Sequence, residues 1–549
     1  MKQLFRWLDE VKSAKVIEDK PLIETTKYKD FAFWWILRNR IYTDLLIFFT
    51  SGLRLYRPSS RQRIIGRFTF LYLLVILVQS IISKLISVGQ KRNEASHPVL
   101  LTAQFESWKP IRDIPTGQLE KAHVIFEPVL KQLRQTRPQL CYVSLAHLGF
   151  SGVSKLKQAL EMKQAANLGH FRILESYLGI NTLARFLYAR RHFSRVSKKL
   201  QQSQNTKNVP RLNGIDVFTA FSDYFDYYYT TYLPLLVLLY ELDLQVCKQE
   251  EPALVLLSNE YGGYERALIM AAHAQHIPSL AIQHGIIDEY KAGYMFAAND
   301  VSTTGSAHYP FVPIPTNTTV YGSFTKDLLT RSSSFPDNAV VVTGQPRYDS
   351  LLHVERLYDK TRFCNRFQID QQKKLVLITT QPFPMESVRE KFILSTIKAL
   401  NQIQGIQIIV KPHHNETQEW YENRVKTQNI IILPPRYDTY EALYACDLLI
   451  AQTSTTILEA MILEKEVVVV NLSNLPEVLP WVEEKAVFGV YNEADLVKNF
   501  QSALFDKKAQ MATQKDRRTF LTKHIFKTDG KSSERVAARI LSLLQEKES

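Results

Sequence analysis

The sequence predicts an α/β chain of two doubly wound parallel-sheet domains facing each other across a cleft, with an apolar helical region in front. Short, continuously apolar runs alternate with helical segments from about Gln90 onward, the pattern of strands covered on both faces. A proline-rich irregular stretch, Ala297–Thr319, divides that pattern into two series. An uncharged run, Phe68–Ser83, precedes both. The 549 residues exceed one domain at about 150 residues per domain. Hydrophobic residues at 45% and charged residues at 22% exclude a disordered or collagen-like chain.

The elements follow in order. Met1–Asp30 is mixed and charged, without the apolar core or small-residue cleavage site of a secretory signal. Phe31–Phe49 is apolar but interrupted by Arg38, Arg40 and Asp44. The run from Phe68 continues through Lys84 to Val88, with Arg61, Arg63 and Arg67 before it and Lys91 and Arg92 after it. About 20 apolar residues are needed to span a bilayer, so this run is at the short end. Basic flanks on both sides fit a helix lying in an anionic interface; a buried core helix reads the same way. Arg185, Arg190, Arg191, Arg195, Lys198 and Lys199 form a second basic segment free of acids, followed by the loop-like Gln201–Asn208.

In the first αβ series, strands are expected at Val99–Gln104, Cys141–Leu145, Ala253–Leu257 and Ser279–Gln283, with a helix from Gly262-Gly263 through Ala274. In the second, strands are expected at Ala339–Thr343, Leu375–Thr379, Ile406–Lys411, Ile430–Leu433, Leu448–Ala451 and Val467–Asn471. Helices are expected at Val388–Gln402, Thr439–Ala445 and Ile457–Leu463. The expected organisation is an N-terminal region 1–92, a first Rossmann-like domain 93–310, a second 311–520 and a C-terminal helix 521–549. Ser532–Lys547 is amphipathic enough to return and pack on the first half.

The net charge of 68 − 54 = +14 asks for an anionic partner: a phosphorylated small molecule, an acidic membrane surface or nucleic acid. No helix-turn-helix, RNA-binding or zinc-finger signature accompanies the charge, which argues against nucleic acid. The four cysteines lie more than 80 residues apart, which excludes a zinc ribbon and a disulfide scaffold. No GxxxxGK[ST], strand-borne GxGxxG, GxSxG or DxD pattern occurs, so no catalytic metal or resident cofactor is implied.

Polar strand ends carry the chemistry instead. Thr453-Ser454-Thr455-Thr456 links a strand to a helix, where free backbone N–H groups suit a phosphate or simply cap the helix. Glu459 follows one turn later, where a carboxylate could accept from ribose hydroxyls. Asp438 is placed to cap the preceding helix. Lys411, His413 and His414 end one strand and could neutralise a diphosphate; Thr380 and Gln381 end another with hydrogen-bond donors. In the first series Gln283-His284-Gly285 ends a strand: His284 has the titration range of a base or acid, and Gly285 permits close backbone approach. Glu260, at the preceding strand end, is the other candidate base; Asp288 and Asp300 are further loop acids.

The order of QHG at 283–285, GQPRYD at 344–349, KPHH at 411–414 and DTYEALYACDLLIAQTSTTILEAM at 438–461 resembles the GT-B-fold enzymes of bacterial surface polysaccharide synthesis. That grouping holds capsule Kdo-transferases, CDP-glycerol glycerophosphotransferases and, more distantly, UDP-N-acetylglucosamine 2-epimerases. The resemblance covers Ala253–Asn471 and implies a nucleotide-activated donor in the second domain. Its phosphates would meet Lys411, His413 and Ser454–Thr456, its ribose Glu459, and its base Pro434–Asp438. His284 would lie across the cleft and Arg347 near the interdomain junction. His413-His414 replaces the usual His-Pro of the group, and Gln283-His284-Gly285 lacks the tryptophan and threonine common in the glycerophosphotransferases. The resemblance therefore implies a glycosyltransferase; the missing DxD pair makes it metal-independent, and the apolar N-terminal run and basic segment would place it, with a saccharide or lipid-linked acceptor, at the inner face of the plasma membrane. The rivals are a CDP-polyol phosphotransferase, a 2-epimerase, and a non-catalytic glycan-binding or scaffold protein.

Overall fold

The structure is a computed structural model that describes residues 2–51, 69–87, 97–112, 117–149, 152–164, 169–203, 209–383, 385–425 and 430–548. Arg61, Arg63, Arg67, Phe68, Val88, Lys91, Arg92, the end of the loop after Gln202 and the expected boundary at 92/93 lie outside those residues.

Among the described residues the long helices that come first are α1 (Lys2–Ser13), α2 (Trp34–Ser51) and α3 (Thr69–Ser87). The first sheet follows, with β1 (Val99–Thr102), the hairpin β2 (Trp108–Arg112) and β3 (Leu119–His123), α4 (Phe126–Thr136), β4 (Tyr142–Ala146) and β5 (His170–Ile173). The chain continues through α5 (Ile180–Gln202), α6 (Leu233–Glu250), β6 (Leu254–Leu257), α7 (Gly263–Ala274), β7 (Ser279–Ile282), β8 (Asn317–Val320) and β9 (Val340–Val342). The seven sheet strands are all parallel, in the order β9-β8-β7-β6-β1-β4-β5. The β2–β3 hairpin stands outside the sheet as an antiparallel ribbon.

The second sheet contains β10 (Lys374–Thr379), β11 (Ile406–Lys411), β12 (Ile430–Ile432), β13 (Leu448–Ala451), β14 (Glu466–Val470) and β15 (Phe488–Val490), with α8 (Glu386–Leu400) after β10 and α11 (Leu496–Phe505) after β15. Its parallel order β12-β11-β10-β13-β14-β15 reverses direction at β10/β13. The first sheet reverses at β1/β6 in the same way. Doubly wound sheets bind ligands at such switch points, outside the carboxyl ends of the strands. The chain therefore has the expected GT-B architecture.

Strand alternation divides the second core cleanly. Leu375, Leu377, Leu449 and Val467 pack on one face, and Val376, Ile378, Leu448 and Val468 on the other. In the first sheet Val99, Leu101, Leu254 and Leu256 face α4 and α12 (Ser532–Glu548), so the last helix does return to the first domain.

Three expectations change. Val340–Val342, placed by its sequence in the second series, is the edge strand of the first sheet, and Asn317–Val320 lies beside it. The boundary at 310/311 thus falls inside the first domain. Asn317-Thr-Thr-Val reads as loop because it is polar, but Asn317 donates to Asn338 O and accepts from Arg539 on α12. The apolar start of the chain does not stand apart either. Trp34, Trp35, Leu37 and Arg38 are buried in the same core as α6 and α7. Arg38 donates to Ala292 O, and Asp44 holds both Arg40 and the Tyr228 hydroxyl, so the interrupting charges are internally paired.

Candidate functional site

Two strand edges meet across the cleft. On the second sheet, β10, β11 and β13 deliver the three polar turns expected, and most of their side chains bond to each other. Thr380 Oγ1 donates to Glu416, which also accepts from His413 N, Tyr421 Oη and Arg389 Nη1. Gln381 donates to Gln452 and accepts from Thr453 N, while Gln452 donates to Asn471. Thr456 Oγ1 and Thr379 Oγ1 are 2.9 Å apart. Thr380, Gln381 and Thr456 therefore brace the strand ends rather than present free donors. The Ser454 hydroxyl accepts from Thr456 N at 3.3 Å, and the helix that follows, α10 (Thr456–Ile462), is only seven residues long.

Asp438 caps the seven-residue α9 (Thr439–Ala445) through Tyr440 N, as its position implies, and also accepts from the Tyr358 hydroxyl at 2.7 Å. Arg347 donates to Glu459 at 2.6 Å and so ties the stretch after β9 to the switch point of the second sheet. Burial raises the Glu459 carboxyl and Arg347 opposes that rise. Engaged this way, Glu459 is oriented by the protein itself.

The free chemistry is cationic. Lys411 donates to Pro412 O and Pro435 O, and burial together with the neighbouring Lys109 holds its ammonium down to about 8. His414 is held down to about 4 by burial, Lys109, His413, Lys411 and Arg436. Burial lowers His413 as well. Both imidazoles are therefore neutral at pH 7 and offer hydrogen bonds, not the extra positive charge their position first suggests.

The first sheet presents a different edge. His284 follows β7, with Nδ1 buried and without a hydrogen-bond partner among the described residues and its ring 5.7 Å from that of Tyr261. Burial, Lys291 and Arg347 hold it down to about 4, so it is unprotonated at pH 7. Gln283 is structural: its amide donates to Gly285 O and accepts from Tyr321 N, and its carbonyl accepts from Gln345. A Cβ on Gly285 would meet only Lys291 Nζ, at 3.9 Å, so the protein leaves that face uncovered. Both Glu260 oxygens are buried without a hydrogen bond among the described residues, and burial raises the carboxyl. Asp288 is tied to its own loop by Tyr290 N, and Asp300 pairs with Lys12.

Four participants were not legible as site residues. Lys109 and Arg112 come from the β2–β3 hairpin, Lys291 from the loop after β7, and Arg436 from the loop after β12. Arg112 lies 3.5 Å from Asp438 and over the Tyr358 ring, so the hairpin of the first domain touches the second. Basic residues near strand ends were the available signal, but nothing local distinguishes these from solvated lysines and arginines.

Residues 245–541, more than half of the chain, match the family model described as UDP-N-acetylglucosamine 2-epimerase. The chain belongs to that family. It is thereby a GT-B enzyme of nucleotide-sugar chemistry. Similar solved structures include S. aureus MnaA with UDP (13% identity, 82% of this chain and 97% of that one, TM-score 0.49). Another is the UDP-GlcNAc 2-epimerase of Neisseria meningitidis bound to UDP-GlcNAc (15%, 81% and 100%, 0.49). A third is the wall teichoic acid polymerase TagF (12%, 89% and 98%, 0.46). No curated protein sequence matches the chain.

Proposed function

We propose that this family member is a glycosyltransferase of surface polysaccharide synthesis, moving a sugar from a nucleotide-activated donor to a saccharide or lipid-linked acceptor without a catalytic metal. The observation that carries the reading is the pairing of edges: an unprotonated, unpartnered His284 on the first domain opposite a cationic edge on the second. His284 would take the acceptor hydroxyl proton as the new glycosidic C–O bond forms. The bond from the anomeric carbon to the diphosphate oxygen breaks with its electron pair leaving on the nucleotide, whose charge Lys411 and the neutral His413 and His414 would stabilise. Burial is the larger cause of the lowered His284 affinity for a proton, but a bound diphosphate would offset the field of Lys291 and Arg347 and make the imidazole a stronger base. Glu260 is the alternative base.

The test is transfer from a panel of nucleotide sugars to oligosaccharide acceptors, with His284→Asn as the variant. His284→Asn should lower kcat by about 10²–10⁴ with the nucleotide Kd nearly unchanged. The family match favours a second reading, 2-epimerisation, which needs no acceptor. An epimer formed from UDP-GlcNAc alone, at the same rate with or without acceptor, would overturn the transferase reading.

The cytoplasmic membrane face remains part of the proposal. Among the described residues no helix is long and apolar enough to cross a membrane. On α3, however, Leu74, Leu77, Val78, Ile81 and Leu85 recur at helical spacing and are 42–68% exposed, one apolar stripe on a helix whose other face is buried. On α5, Arg191, Arg195 and Lys198 are exposed, a complement for anionic headgroups. Wild-type protein should sediment with phosphatidylglycerol-containing vesicles, and the Ile81→Glu/Leu85→Glu variant should not. Equal sedimentation would remove the membrane from the reading.

A further inference from the structure

The hairpin β2–β3 belongs by connectivity to the first domain, yet one of its cations, Lys109, stands among the charges of the second. Its ammonium is within electrostatic reach of Arg347, Glu459 and Arg436, and it in turn acts on Lys411, His413 and His414. The hairpin is held there by contact geometry. Arg112, three residues on, pairs with Asp438 and lies 5.5 Å from the Tyr358 ring centroid, and Tyr358 itself donates to Asp438. The base of the hairpin is fixed by Val124 N donating to Ser107 O and by the five-residue register between the strands. Lys109 is only partly exposed, and its ammonium has no hydrogen-bond or ion-pair partner among the described residues.

A lysine with nothing to bind normally extends into water, away from other cations. Here Lys109, Lys411, Arg436 and Arg347 converge, and the carboxylates nearby are already engaged: Glu459 by Arg347, Asp438 by Arg112 and Tyr358, and Glu416 by four donors. Gathering like charges in a half-buried cleft is unfavourable unless an anion completes the group. An anion with more than one charge, held between two domains, matches the span.

We propose that Lys109 is the first domain's ligand for the diphosphate of a nucleoside diphosphate donor, closing from the hairpin over the Lys411–His414 strand end so that the diphosphate is clamped by both domains. The assignment rests on the nucleotide-donor reading above and adds a residue that reading does not contain. It makes nucleotide binding interdomain: the diphosphate becomes the counter-ion that draws the hairpin and the second sheet together. Arg112 positions the hairpin, and Lys109 makes the contact.

The experiment is calorimetric titration of the full chain with UDP, CDP and uridine, comparing wild type with Lys109→Met, Lys109→Arg and the control Lys121→Met, whose lysine sits on the other hairpin strand and pairs with Glu161. Lys109→Met should raise the Kd of the nucleoside diphosphate by about tenfold or more and leave uridine unchanged, because only the charged contact is lost. Lys109→Arg should restore most of the affinity, and Lys121→Met should match wild type. Without ligand, Lys109→Met should unfold at the same or a higher temperature than wild type, since it removes a repelled cation; a lower midpoint would mark Lys109 as structural and overturn the proposal. A Kd within twofold of wild type would overturn it as well and leave the donor reading standing. Failure of the wild-type chain to bind any nucleoside diphosphate would overturn both.

Discussion

At the carboxyl edge of the first sheet, Glu260 and Glu265 are buried acids near Tyr261, and burial raises both. At the matching edge of the second sheet, Lys411, Arg436 and the incoming Lys109 and Arg347 gather positive charge around neutral imidazoles. The folds are the same and the switch points equivalent, so the difference comes from side chains rather than topology. On the proposed reading it teaches a division of labour: one edge would supply the proton-accepting group in low dielectric, and the other would hold the anionic diphosphate. Both are costly arrangements without substrate, which is the usual signature of a site selected for chemistry rather than stability.

The sharpest challenge to the comparison is Glu459, an acid buried at the switch point of the cationic side. It survives because Arg347 is 2.6 Å away, with side-chain exposures of 5% and 26%. Arg347→Ala would leave a buried carboxylate with its strongest partner gone and should cost about 3–5 kcal/mol in denaturant unfolding. The double variant Arg347→Met/Glu459→Met should recover most of that loss. If the single variant cost no more than the double, Lys109 would already neutralise Glu459, and the two edges would be less different in sign than described.

Much of this contrast was legible in the sequence, and the reasons divide by range. β10, β11 and β13 are apolar runs with polar ends, so Lys411, His413 and Ser454 could be located from their neighbours alone. His284 was found the same way. Asn317–Val320 was not, because its polar groups are satisfied at a distance: Asn317 by Asn338 O and, more than 200 residues later, by Arg539, and Thr319 by Ala281 O. Phe31–Phe49 showed Arg38, Arg40 and Asp44 interrupting an apolar run but not their partners; Arg38 finds Asp9 and Ala292 O, and Asp44 finds Tyr228, by contacts across up to 254 residues. Lys109 and Arg112 were missed for a related reason. A hairpin reveals its own pairing, not the domain it will lean against. Local pattern shows what an edge is made of, and only tertiary contact shows what it faces.

The acidic edge can be tested by pH. Glu265 opens α7, its carboxylate accepts from Gln104, and a Cβ on Gly262 would collide with it, so glycine is needed there for the carboxylate to lie over the helix start. Burial pushes it up to about 7 from an ordinary 4.5. The folded chain therefore holds this proton more tightly than the unfolded chain. The resulting stability is complete below pH 4.5, falls as pH rises, and is gone once pH passes 7; the total is about 3 kcal/mol. Glu265→Gln should abolish that decline. His284 and His414, held down to about 4, act in the opposite sense, losing stability as pH falls below 6.5, but they do so in both proteins. The difference between the two denaturation profiles from pH 5 to pH 7.5 thus isolates Glu265. Parallel profiles would mean that water reaches this edge and that its acids are ordinary.

The smallest effect expected is at the contact joining the two edges. Arg112 and Asp438 are 3.5 Å apart with side chains 29% and 30% exposed, a partly screened pair. Asp438 keeps Tyr358 and Tyr440 N when the arginine is removed, so nothing buried is orphaned. Arg112→Ala should therefore cost only about 0.2–1 kcal/mol of stability, and less in high salt. Its value lies in what accompanies that small loss. If Arg112 positions the hairpin, Arg112→Ala should weaken nucleoside diphosphate binding by a factor smaller than Lys109→Met does, and the combined variant should bind no more weakly than Lys109→Met alone, because a displaced hairpin cannot lose a contact already deleted. Additive losses would instead mean that Arg112 meets the ligand directly, and the cationic edge would then include both residues of the hairpin.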